Sequence, residues 1–385
     1  MPGAATSTKG DPEMATITGT NASDNLYSGL ADDDIFGLGG NDTIYYGSYT
    51  GDYVASHGND TIDGGSGSDT LSFYHGVESY DPVPDIFVDL QAGTAELEGG
   101  VTLTLSNIEN VSFSGDWGFE AWGNQYANRI AAGYGWGDFH GRGGDDVLVG
   151  GDGGDTLYGD SGNDTLIGRY GDDTLIGGTG SDTVVYDHND IVVDLALGTA
   201  SGQGSDTLDG IENVTTADGD DVIGGSDAAN LLLAGAGNDV VDGLGGKDRI
   251  EGHAGNDSLH GGAGNDTLDG GSGFDVLDGG TGVDTLTGFH HADDFVFAPG
   301  DSSIGAGFRD VITDFSTVQG DDLDLSAFGG LTFIGQSTFS AEDQVRFIHS
   351  GGNTLVQINS VGNSGMEMEI QLNGLLNLSA GDFIL

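Results

Sequence analysis

The sequence predicts an all-β protein: a parallel, right-handed β-roll in three blocks, with β inserts and a C-terminal β cap. Three observations support this prediction. An aspartate followed two residues later by an apolar residue recurs on a nine-residue period. Glycine is far above its average share, with 74 of the 385 residues. The apolar fraction is normal at 36%, which disfavours a disordered acidic chain.

The charge balance sets the next constraint. Lys and Arg together number 8 against 63 Asp and Glu, which gives a formal net charge of -55. Such a chain would repel itself strongly when compact, so divalent cations are expected to neutralise the carboxylates. The basic surface that nucleic-acid binding requires is missing. Because the sequence has no Cys, disulfides and thiolate metal sites are excluded.

Neither a membrane span nor a secretory signal peptide is expected. No run of about 18 apolar residues occurs, so the sequence predicts no transmembrane helix. The first twenty residues lack the apolar core of a signal peptide. Met14 begins a more regular segment, and residues 1–13 are expected to be a tag, a leader or a disordered arm.

The repeat frame places the aspartate at position 6 and the apolar residue at position 8. No position 8 in the frame is polar. The position-6 aspartates are Asp24, Asp33, Asp42, Asp60 and Asp69 in the first block, Asp146, Asp155, Asp164, Asp173 and Asp182 in the second, and Asp221, Asp239, Asp248, Asp257, Asp266, Asp275, Asp284 and Asp293 in the third. Other residues occupy position 6 at Gly51, Asn128, Gly137 and Asn230.

A period of nine is not helical, and glycines in a helix would cost about 1 kcal/mol each. The apolar triplets T-L-D and V-L-D suit very short strands. The six residues before each triplet suit turns with positive backbone dihedrals, which glycine tolerates. Two nonapeptides then make one coil of 18 residues, with a sheet on each side. Position 8 points inward from both sheets and forms a thin core.

The same geometry stacks each position-6 aspartate beside the aspartate one coil later. Stacked carboxylates are costly unless a cation lies between them. Calcium accepts about six to eight oxygens from carboxylates and backbone carbonyls, so all eighteen position-6 aspartates named above are candidate ligands. We expect about a dozen bound calcium ions. Pairs that include Gly51, Asn128, Gly137 or Asn230 are expected to be weaker, although a carbonyl or an amide could substitute.

The alternative is that these aspartates only form turns, in which Asp is common. Turn preference alone would not hold a nine-residue frame, so the calcium interpretation is favoured.

Two segments match a known pattern letter for letter: GGAGNDTLD at 261–269 and GGSGFDVLD at 270–278. The pattern G-G-x-G-x-D-x-U-x resembles the calcium-binding nonapeptide of RTX (repeats-in-toxin) proteins, whose repeats stack into a β-roll. More than a dozen near-matches stand in frame. The resemblance implies calcium binding and covers about three fifths of the chain.

The C-terminal part also has a resemblance. DDFVFAPGDS at 293–302, DVITDF at 310–315, DDLDLSAF at 321–328 and SAGDFIL at 379–385 resemble the terminal domain of serralysin-type RTX proteins. The resemblance implies a cap on the roll and an uncleaved type I secretion signal, here Asp382-Phe383-Ile384-Leu385. It further implies extracellular localisation after export from a Gram-negative bacterium, with the type I secretion apparatus as a partner.

Two inserts echo each other between the blocks. DIFVDLQAGTA at 85–95 is echoed at 190–200, and NIENV at 107–111 is echoed by GIENV at 210–214. The predicted organisation is an N-terminal arm at 1–18, roll blocks at 19–72, 123–185 and 216–297, β inserts at 73–122 and 186–215, and the cap at 298–385.

No catalytic constellation is evident. The sequence lacks an H-E-x-x-H zinc motif, a G-x-S-x-G elbow and a G-x-x-x-x-G-K-[ST] phosphate loop, so we expect no enzyme.

One stretch departs from the repeats: residues 117–142, here called the Trp-rich stretch. Its bulky residues are expected to cover the junction between insert and roll. The alternative is a glycan-binding face, in which aromatic rings stack on sugars and Arg pairs with uronates. The candidate residues for that face are Trp117, Trp122, Trp136, Arg129 and Arg142.

The sequence as a whole predicts a secreted calcium-binding protein that serves as a surface, matrix or adhesion element. One alternative is a polysaccharide-binding or polysaccharide-modifying protein, because mannuronan epimerases and some lyases carry similar rolls. An acidic polysaccharide or a cell surface would then be the partner. Another is a protein that resembles the secreted nodulation-signalling RTX proteins, although the sequence has no evident membrane-active segment.

Overall fold

Short parallel strands build this protein, as the nine-residue period predicts. The computed structural model describes residues 14–29, 31–46, 58–74, 86–97, 100–115, 118–360 and 366–385. In these ranges the chain forms short β-strands and two 3-10 helices, Ser326–Phe328 and Ala380–Asp382. Within the same ranges there is no helix that is both long and apolar enough to span a membrane.

The chain divides into two compact units. The first comprises Met1–Val185 and Gln203–Ile211, and the second comprises Tyr186–Gly202 and Glu212–Leu385. Each unit contains two long ladders of strands, named here 1A and 1B in the first unit and 2A and 2B in the second.

Ladder 1A is parallel throughout. Its strands are, in spatial order, β2 (Asn25–Tyr27), β4 (Thr43–Tyr46), β6 (Thr70–Tyr74), β10 (Asn110–Ser114), β12 (Arg129–Ala131), β14 (Val147–Val149), β16 (Thr165–Ile167) and β18 (Thr183–Val185).

Ladder 1B is parallel except where β8 joins β9 and β7 by antiparallel pairing. Its order is β1 (Thr16–Thr18), β3 (Asp34–Phe36), β5 (Thr61–Asp63), β9 (Val101–Ser106), β8 (Thr94–Leu97), β7 (Ile86–Asp89), β11 (Phe119–Trp122), β13 (Gly137–His140), β15 (Thr156–Ser161), β17 (Thr174–Thr179) and β21 (Ser205–Asp209).

Ladder 2A is parallel except where β38 joins β39 and β37 by antiparallel pairing. Its order is β22 (Asn213–Thr215), β24 (Leu231–Leu233), β26 (Arg249–Ala254), β29 (Thr267–Ser272), β32 (Thr285–His290), β34 (Val311–Ile312), β39 (Met368–Leu372), β38 (Asn353–Asn359), β37 (Gln344–Ser350) and β36 (Thr332–Phe333).

Ladder 2B starts with an antiparallel hairpin and is otherwise parallel. Its order is β20 (Thr199–Ser201), β19 (Val192–Asp194), β23 (Val222–Ser226), β25 (Val240–Gly246), β27 (Ser258–His260), β30 (Val276–Asp278), β33 (Asp294–Val296), β35 (Asp322–Asp324) and β40 (Phe383–Ile384). The turns of the roll add a small parallel ladder in which β28 (Ala263–Gly264) and β31 (Thr281–Gly282) follow the end of β25.

The position-8 residues form the core of both units. In ladder 1A, Leu148 pairs with Leu166 one coil later, and in ladder 2A Ile250 pairs with Leu268. Every described position-8 side chain is at most 1% exposed. Since side chains alternate across a strand, the residues on either side of position 8 face outward. The prediction of a parallel β-roll with a thin apolar core is therefore confirmed.

The first insert does not stand apart from the roll. Its strand β10 continues ladder 1A between β6 and β12. Its strands β9, β8 and β7 carry ladder 1B from β5 to β11. The nine-residue period is interrupted in the insert, but both ladders of strands continue through it.

Two predicted boundaries and one predicted register differ from the structure. β1 begins at Thr16, inside the segment 1–18 that was expected to be an arm, and it pairs with β3. The predicted third block and cap, 216–297 and 298–385, share both ladders of the second unit. In the first block Asp34 pairs with Thr61, so the ladder passes over the repeat that contains Gly51, which lies outside the described residues.

The cap encloses a buried ion pair. Arg309 and Glu369 are each at most 8% exposed, and the guanidinium donates to the Glu369 carboxylate. Gln357 Nε2 donates to the same carboxylate over 2.8 Å, and Ser302 Oγ donates to the Glu369 carbonyl over 2.8 Å. Arg309 and Gln357 thus each pair with one oxygen of the carboxylate, as a buried charge requires.

Truncation of one core leucine tests the thin core. Leu268 is fully buried between Ile250 and Leu286 in ladder 2A. Leu268→Ala is expected to lower the free energy of unfolding of the calcium-loaded protein by about 2–5 kcal/mol. Leu197→Ala, at a leucine that is 76% exposed, should change it by no more than about 0.5 kcal/mol. Denaturant unfolding at saturating calcium measures both, and equal effects would contradict an inward-facing position 8.

Candidate metal centre

The position-6 aspartates form buried columns along the ladders, one residue per coil. Each lies directly before a strand, and none is more than 4% exposed. A column is the set of position-6 residues that stand before the strands of one ladder. Carboxylates almost never lie this deep unless something pairs with them.

A regular hydrogen bond joins each column residue to the next. The backbone N–H of Asp146 donates to Asp164 Oδ1 over 2.7 Å, eighteen residues further on. In the second unit Asp257 N–H donates to Asp275 Oδ1 over 2.9 Å. One oxygen of each carboxylate is thereby held against the backbone of the preceding coil.

These bonds connect all but one of the predicted aspartate pairs. The exception is the expected pair Asp42 and Asp60. Because the ladders pass over one repeat, Asp42 N–H donates to Asp69 Oδ1 and Asp33 N–H donates to Asp60 Oδ1, each across 27 residues. Asp60 therefore belongs to the column beside ladder 1B, and that predicted pairing was wrong.

The second carboxylate oxygen is the chemically unusual atom. It is buried and has no hydrogen-bond partner at Asp42, Asp60, Asp69, Asp146, Asp164, Asp173, Asp239, Asp248, Asp257, Asp266, Asp275 and Asp284. An unsatisfied buried polar atom is costly, and more so when it is charged. The repetition of this defect along the columns indicates a missing positive partner.

In a few coils the turn itself satisfies that oxygen. Asp24 Oδ2 accepts from Thr20 N–H over 2.6 Å, and Asp155 Oδ2 accepts from Gly151 N–H over 2.8 Å. Asp33 Oδ2 accepts from Gly29 N–H over 2.7 Å. Asp24 and Asp33 are the first aspartates of their columns, and Asp155 follows Gly137 in its column.

Glycine stands five residues before fourteen of the eighteen aspartates and leaves room beside the second carboxylate oxygen. A Cβ added at Gly243 would lie 2.6 Å from Asp248 Oδ2 and 2.7 Å from the Gly261 carbonyl oxygen. At Gly261 it would lie 2.7 Å from the Gly279 carbonyl oxygen and 2.8 Å from Asp266 Oδ2. Carboxylate and carbonyl oxygens thus converge on one small space, and any side chain there would fill it.

Burial raises the pKa of several carboxyl groups in the columns. Burial, with Asp164 and Asp145 adding repulsion, raises the pKa of Asp146 to about 8. Burial, with Asp310 and Asp266 nearby, raises the pKa of Asp284 to about 8. The pKa of Asp239 rises to about 7 for the same two reasons. A metal-free column would therefore take up protons near neutral pH.

The donor set fits a hard cation. Among the described residues, no three His, Asp or Glu side chains converge on one point. A cation in a column would therefore take its further oxygens from backbone carbonyls such as those of Gly261 and Gly279. Calcium accepts a mixed set of carboxylates and carbonyls in flexible geometry, whereas zinc prefers His and Cys.

The columns include four acidic residues that the nine-residue frame missed. Asp206, Asp310 and Asp321 accept from the N–H groups of Asp173, Asp284 and Asp293, and Glu109 accepts from Asp69 N–H over 2.8 Å. A signal was present, because each of the four stands two residues before a buried apolar residue: Leu208, Ile312, Leu323 and Val111.

The Trp-rich stretch does not form one face. Trp117 lies outside the described residues. Trp122 packs edge-on against Phe87 of the first insert, with ring centroids 5.1 Å apart, and Arg142 lies 5.1 Å above the Trp122 ring.

Arg142 also binds Asp89 through two hydrogen bonds of 2.8 and 3.0 Å. Although burial opposes it, this pairing holds the pKa of Asp89 below its ordinary value. Arg129 lies on the other ladder, 1A. The Trp136 ring lies beside Gly118, and the residue is 53% exposed. The arrangement favours a packed junction between insert and roll over a glycan-binding face.

The profile of one protein family matches the chain repeatedly. The family is described as the RTX calcium-binding nonapeptide repeat (4 copies), and the matches cover more than half of the chain, at residues 16–48, 54–72, 122–157, 140–169, 149–184, 206–241, 215–250, 242–277 and 269–304. This chain is an RTX repeat protein. The repeats of this family bind calcium, in agreement with the oxygen donors of the columns.

Several solved structures are similar to this RTX protein. The AlgE6R2 subunit of the Azotobacter vinelandii mannuronan C5-epimerase is 27% identical, with a TM-score of 0.27, over 42% of this chain and 91% of that one. The AlgE6R3 subunit of the same enzyme is 27% identical, with a TM-score of 0.24, over 44% and 78%. The extracellular lipase LipA from Serratia marcescens is 17% identical, with a TM-score of 0.19, over 74% and 44%. No curated protein sequence matches.

The raised pKa values predict opposite pH responses with and without calcium. In the metal-free folded protein, burial raises the pKa values of Asp146, Asp239, Asp248 and Asp284 from the ordinary 3.8 to about 8, 7, 6 and 8. Their contribution to stability is full below about pH 4 and is lost as the pH rises through about 6 to 8. Protons compete with calcium, so calcium affinity should fall over the same range as the pH decreases.

Circular dichroism in a chelator and calcium titrations at about pH 5.5 and 8 measure the two responses. Metal-free protein that is no more folded at the lower pH, or calcium affinity that is independent of pH, would contradict the assignment of buried carboxylates.

Two glycines of β25 provide a matched test of the space beside the unpaired oxygen. Gly243→Ala puts a methyl group between Asp248 Oδ2 and the Gly261 carbonyl, and it should remove calcium binding at that coil. At Gly245 an added Cβ meets nothing closer than 3.5 Å, so Gly245→Ala should leave the calcium number unchanged. Calcium stoichiometry by native mass spectrometry distinguishes them, and equal stoichiometry in both variants would argue against a metal beside Asp248.

Proposed function

We propose that this RTX repeat protein binds calcium between successive coils, along the aspartate columns, and that it folds as calcium binds. The observation that carries the proposal is the row of buried Oδ2 atoms without partners. When bound, calcium supplies the positive charge that these atoms lack. The aspartates hold the ion, and the glycine carbonyls complete its shell.

The proposed ligands are the position-6 aspartates, together with Glu109, Asp206, Asp310 and Asp321 where the columns pass through the inserts and into the cap. Coils whose second oxygen is already bonded by the turn, at Asp24, Asp33 and Asp155, are expected to bind calcium less tightly. About a dozen ions remains the expected number.

We further propose that the protein is secreted and that its calcium-loaded roll serves as a rigid surface, matrix or adhesion element without enzymatic activity. RTX repeat proteins are typically secreted and extracellular, where calcium reaches millimolar levels. Residues 379–385 resemble a type I secretion signal, and the cap resembles the serralysin-type terminal domain. A chain that stays unfolded until it meets external calcium would suit export through a channel.

A polysaccharide-binding role has weaker support. Arg142, one of the two arginines proposed to pair with uronates, is already bound by Asp89. Arg129 and Trp122 lie on different ladders. The AlgE6R2 and AlgE6R3 subunits are titled as parts of a mannuronan C5-epimerase, which keeps an acidic polysaccharide as the alternative partner to test.

A calcium titration of the full chain tests the proposed function. In a chelator the chain should be expanded, because the column carboxylates repel each other. Calcium added up to about 10 mM should reduce its hydrodynamic radius cooperatively and produce β-sheet circular dichroism. Dynamic light scattering and circular dichroism on the same samples measure both.

Magnesium at equal concentration is the control, since it retains its water and demands octahedral geometry. A chain that is equally compact in the chelator and in calcium would contradict calcium-coupled folding. Growth into large particles at millimolar calcium would favour the matrix role over that of a soluble binding protein.

A further inference from the structure

Two coils of the roll carry an asparagine where their neighbours carry an aspartate. Asn128 lies in the column of ladder 1A and Asn230 in the column of ladder 2A. Each is at most 4% exposed. Each donates its backbone N–H to the aspartate one coil later, Asn128 to Asp146 over 2.6 Å and Asn230 to Asp248 over 2.8 Å. Both residues therefore occupy true column positions.

The side chains of these asparagines make the reverse of the usual contact with the preceding coil. Asn128 Nδ2 donates to the Glu109 carbonyl over 2.8 Å. Asn230 Nδ2 donates to the Glu212 carbonyl over 2.7 Å. In the aspartate coils the preceding residue offers an N–H group to Oδ1, whereas here it offers a carbonyl oxygen.

The remaining oxygen of each asparagine is also satisfied. Asn128 Oδ1 accepts from Asn124 N–H over 2.7 Å, and Asn230 Oδ1 accepts from Ser226 N–H over 2.8 Å. Neither side chain has the buried, unpaired oxygen that marks most aspartate coils. An amide donates to a carbonyl on one side and accepts from an N–H on the other, whereas an ionised carboxylate would place two oxygens about 2.8 Å apart at this point.

We propose that Asn128 and Asn230 are cation-free positions of their columns, where the side-chain amide takes the place that calcium holds elsewhere. This inference rests on the proposed function. In the column of ladder 1A, Asn128 then separates the calcium-binding residues before it from those that begin at Asp146. In the column of ladder 2A, Asn230 stands before the calcium-binding run that begins at Asp248.

The position of these coils in the chain explains their chemistry. Each asparagine follows an insert that ends in the echoed motif, NIENV at 107–111 or GIENV at 210–214. In both motifs the glutamate presents its carbonyl to the asparagine one coil later. Elsewhere in the columns the corresponding carbonyl also faces the next coil, where the first N–H of the next strand binds it, as Thr165 N–H donates to the Asp146 carbonyl over 2.8 Å. After the inserts that strand N–H donates instead to Asn110 or Asn213 Oδ1 over 3.1 Å. The side-chain amide of the column asparagine then binds the glutamate carbonyl without a metal. The arrangement occurs independently in the two units.

Substitution by aspartate tests the proposal in the full chain. Asn128→Asp and Asn230→Asp each place a carboxylate against a backbone carbonyl, and a cation is then needed between the two oxygens. Each variant should bind one calcium ion more than the wild type at saturation, and its folding should require higher calcium. Asn163→Asp and Asn256→Asp are charge-matched controls in the same two units, because their Oδ1 atoms only accept hydrogen bonds. The controls should keep the wild-type number of ions.

Native mass spectrometry gives the calcium number, and circular dichroism gives the calcium midpoint of folding. If both aspartate variants fold with the wild-type number of ions and the wild-type midpoint, the proposal is overturned. If the wild type binds no calcium, the proposed function itself fails, which is a separate outcome.

A measurement on the wild type covers the case in which the variants do not fold. In the calcium-loaded protein the side-chain amide protons of Asn128 and Asn230 should exchange slowly with solvent, since both are buried and donate to a carbonyl. The exposed amides of Asn163 and Asn256 should exchange fast. Hydrogen exchange followed by NMR gives these rates, and fast exchange at Asn128 and Asn230 would overturn the proposal.

Discussion

Most coils of this roll bury carboxylates, and the fold depends on neutralising them. Neighbouring strands lie about 4.8 Å apart, so adjacent carboxylates of a column repel each other by roughly 3 kcal/mol at an effective dielectric constant of about 20. Burying one core leucine contributes only about 1.5–3 kcal/mol. The repulsion therefore rivals the apolar gain of the same repeat, and a stable roll needs protons or cations along its columns.

The backbone bond to Oδ1 solves only half of this problem. It fixes one oxygen of Asp164 or Asp275 in place and leaves the other without a donor. Glycine five residues earlier keeps that side of the carboxylate free of side chains. The glycines beside the columns, the unpaired oxygens and the net charge thus agree with the proposed calcium sites, which need space where a side chain would otherwise be.

The sequence was sufficient to predict the coil, the core and most of the columns. A strict period of nine defines both the apolar position and the aspartate, and two short strands per coil follow from it. The register of the first block could not be predicted, because the repeat with Gly51 fits the frame although the ladders pass over it. Glu109 and Asp310 were missed because insertions move them off the period, while the local pattern of an acid two residues before a buried apolar residue persists.

The roles of Asn128 and Asn230 needed the structure for a different reason. In the sequence an asparagine in an aspartate column suggests a weakened metal site. The structure shows that the amide is the matching group, because its Nδ2 donates to the glutamate carbonyl of the preceding coil. The sequence records the residue type but not the orientation of its partner.

Net charge limits the partners that the folded protein can have. A dozen calcium ions would reduce the formal charge of -55 to roughly -31. The loaded surface would still repel acidic polymers at distances up to the Debye length, about 8 Å at physiological ionic strength. An acidic polysaccharide could then adhere only where shared calcium bridges its carboxylates to those of the protein, because the few arginines are largely engaged internally, as at Arg142 and Arg309. The requirement that governs folding would in that case also govern adhesion.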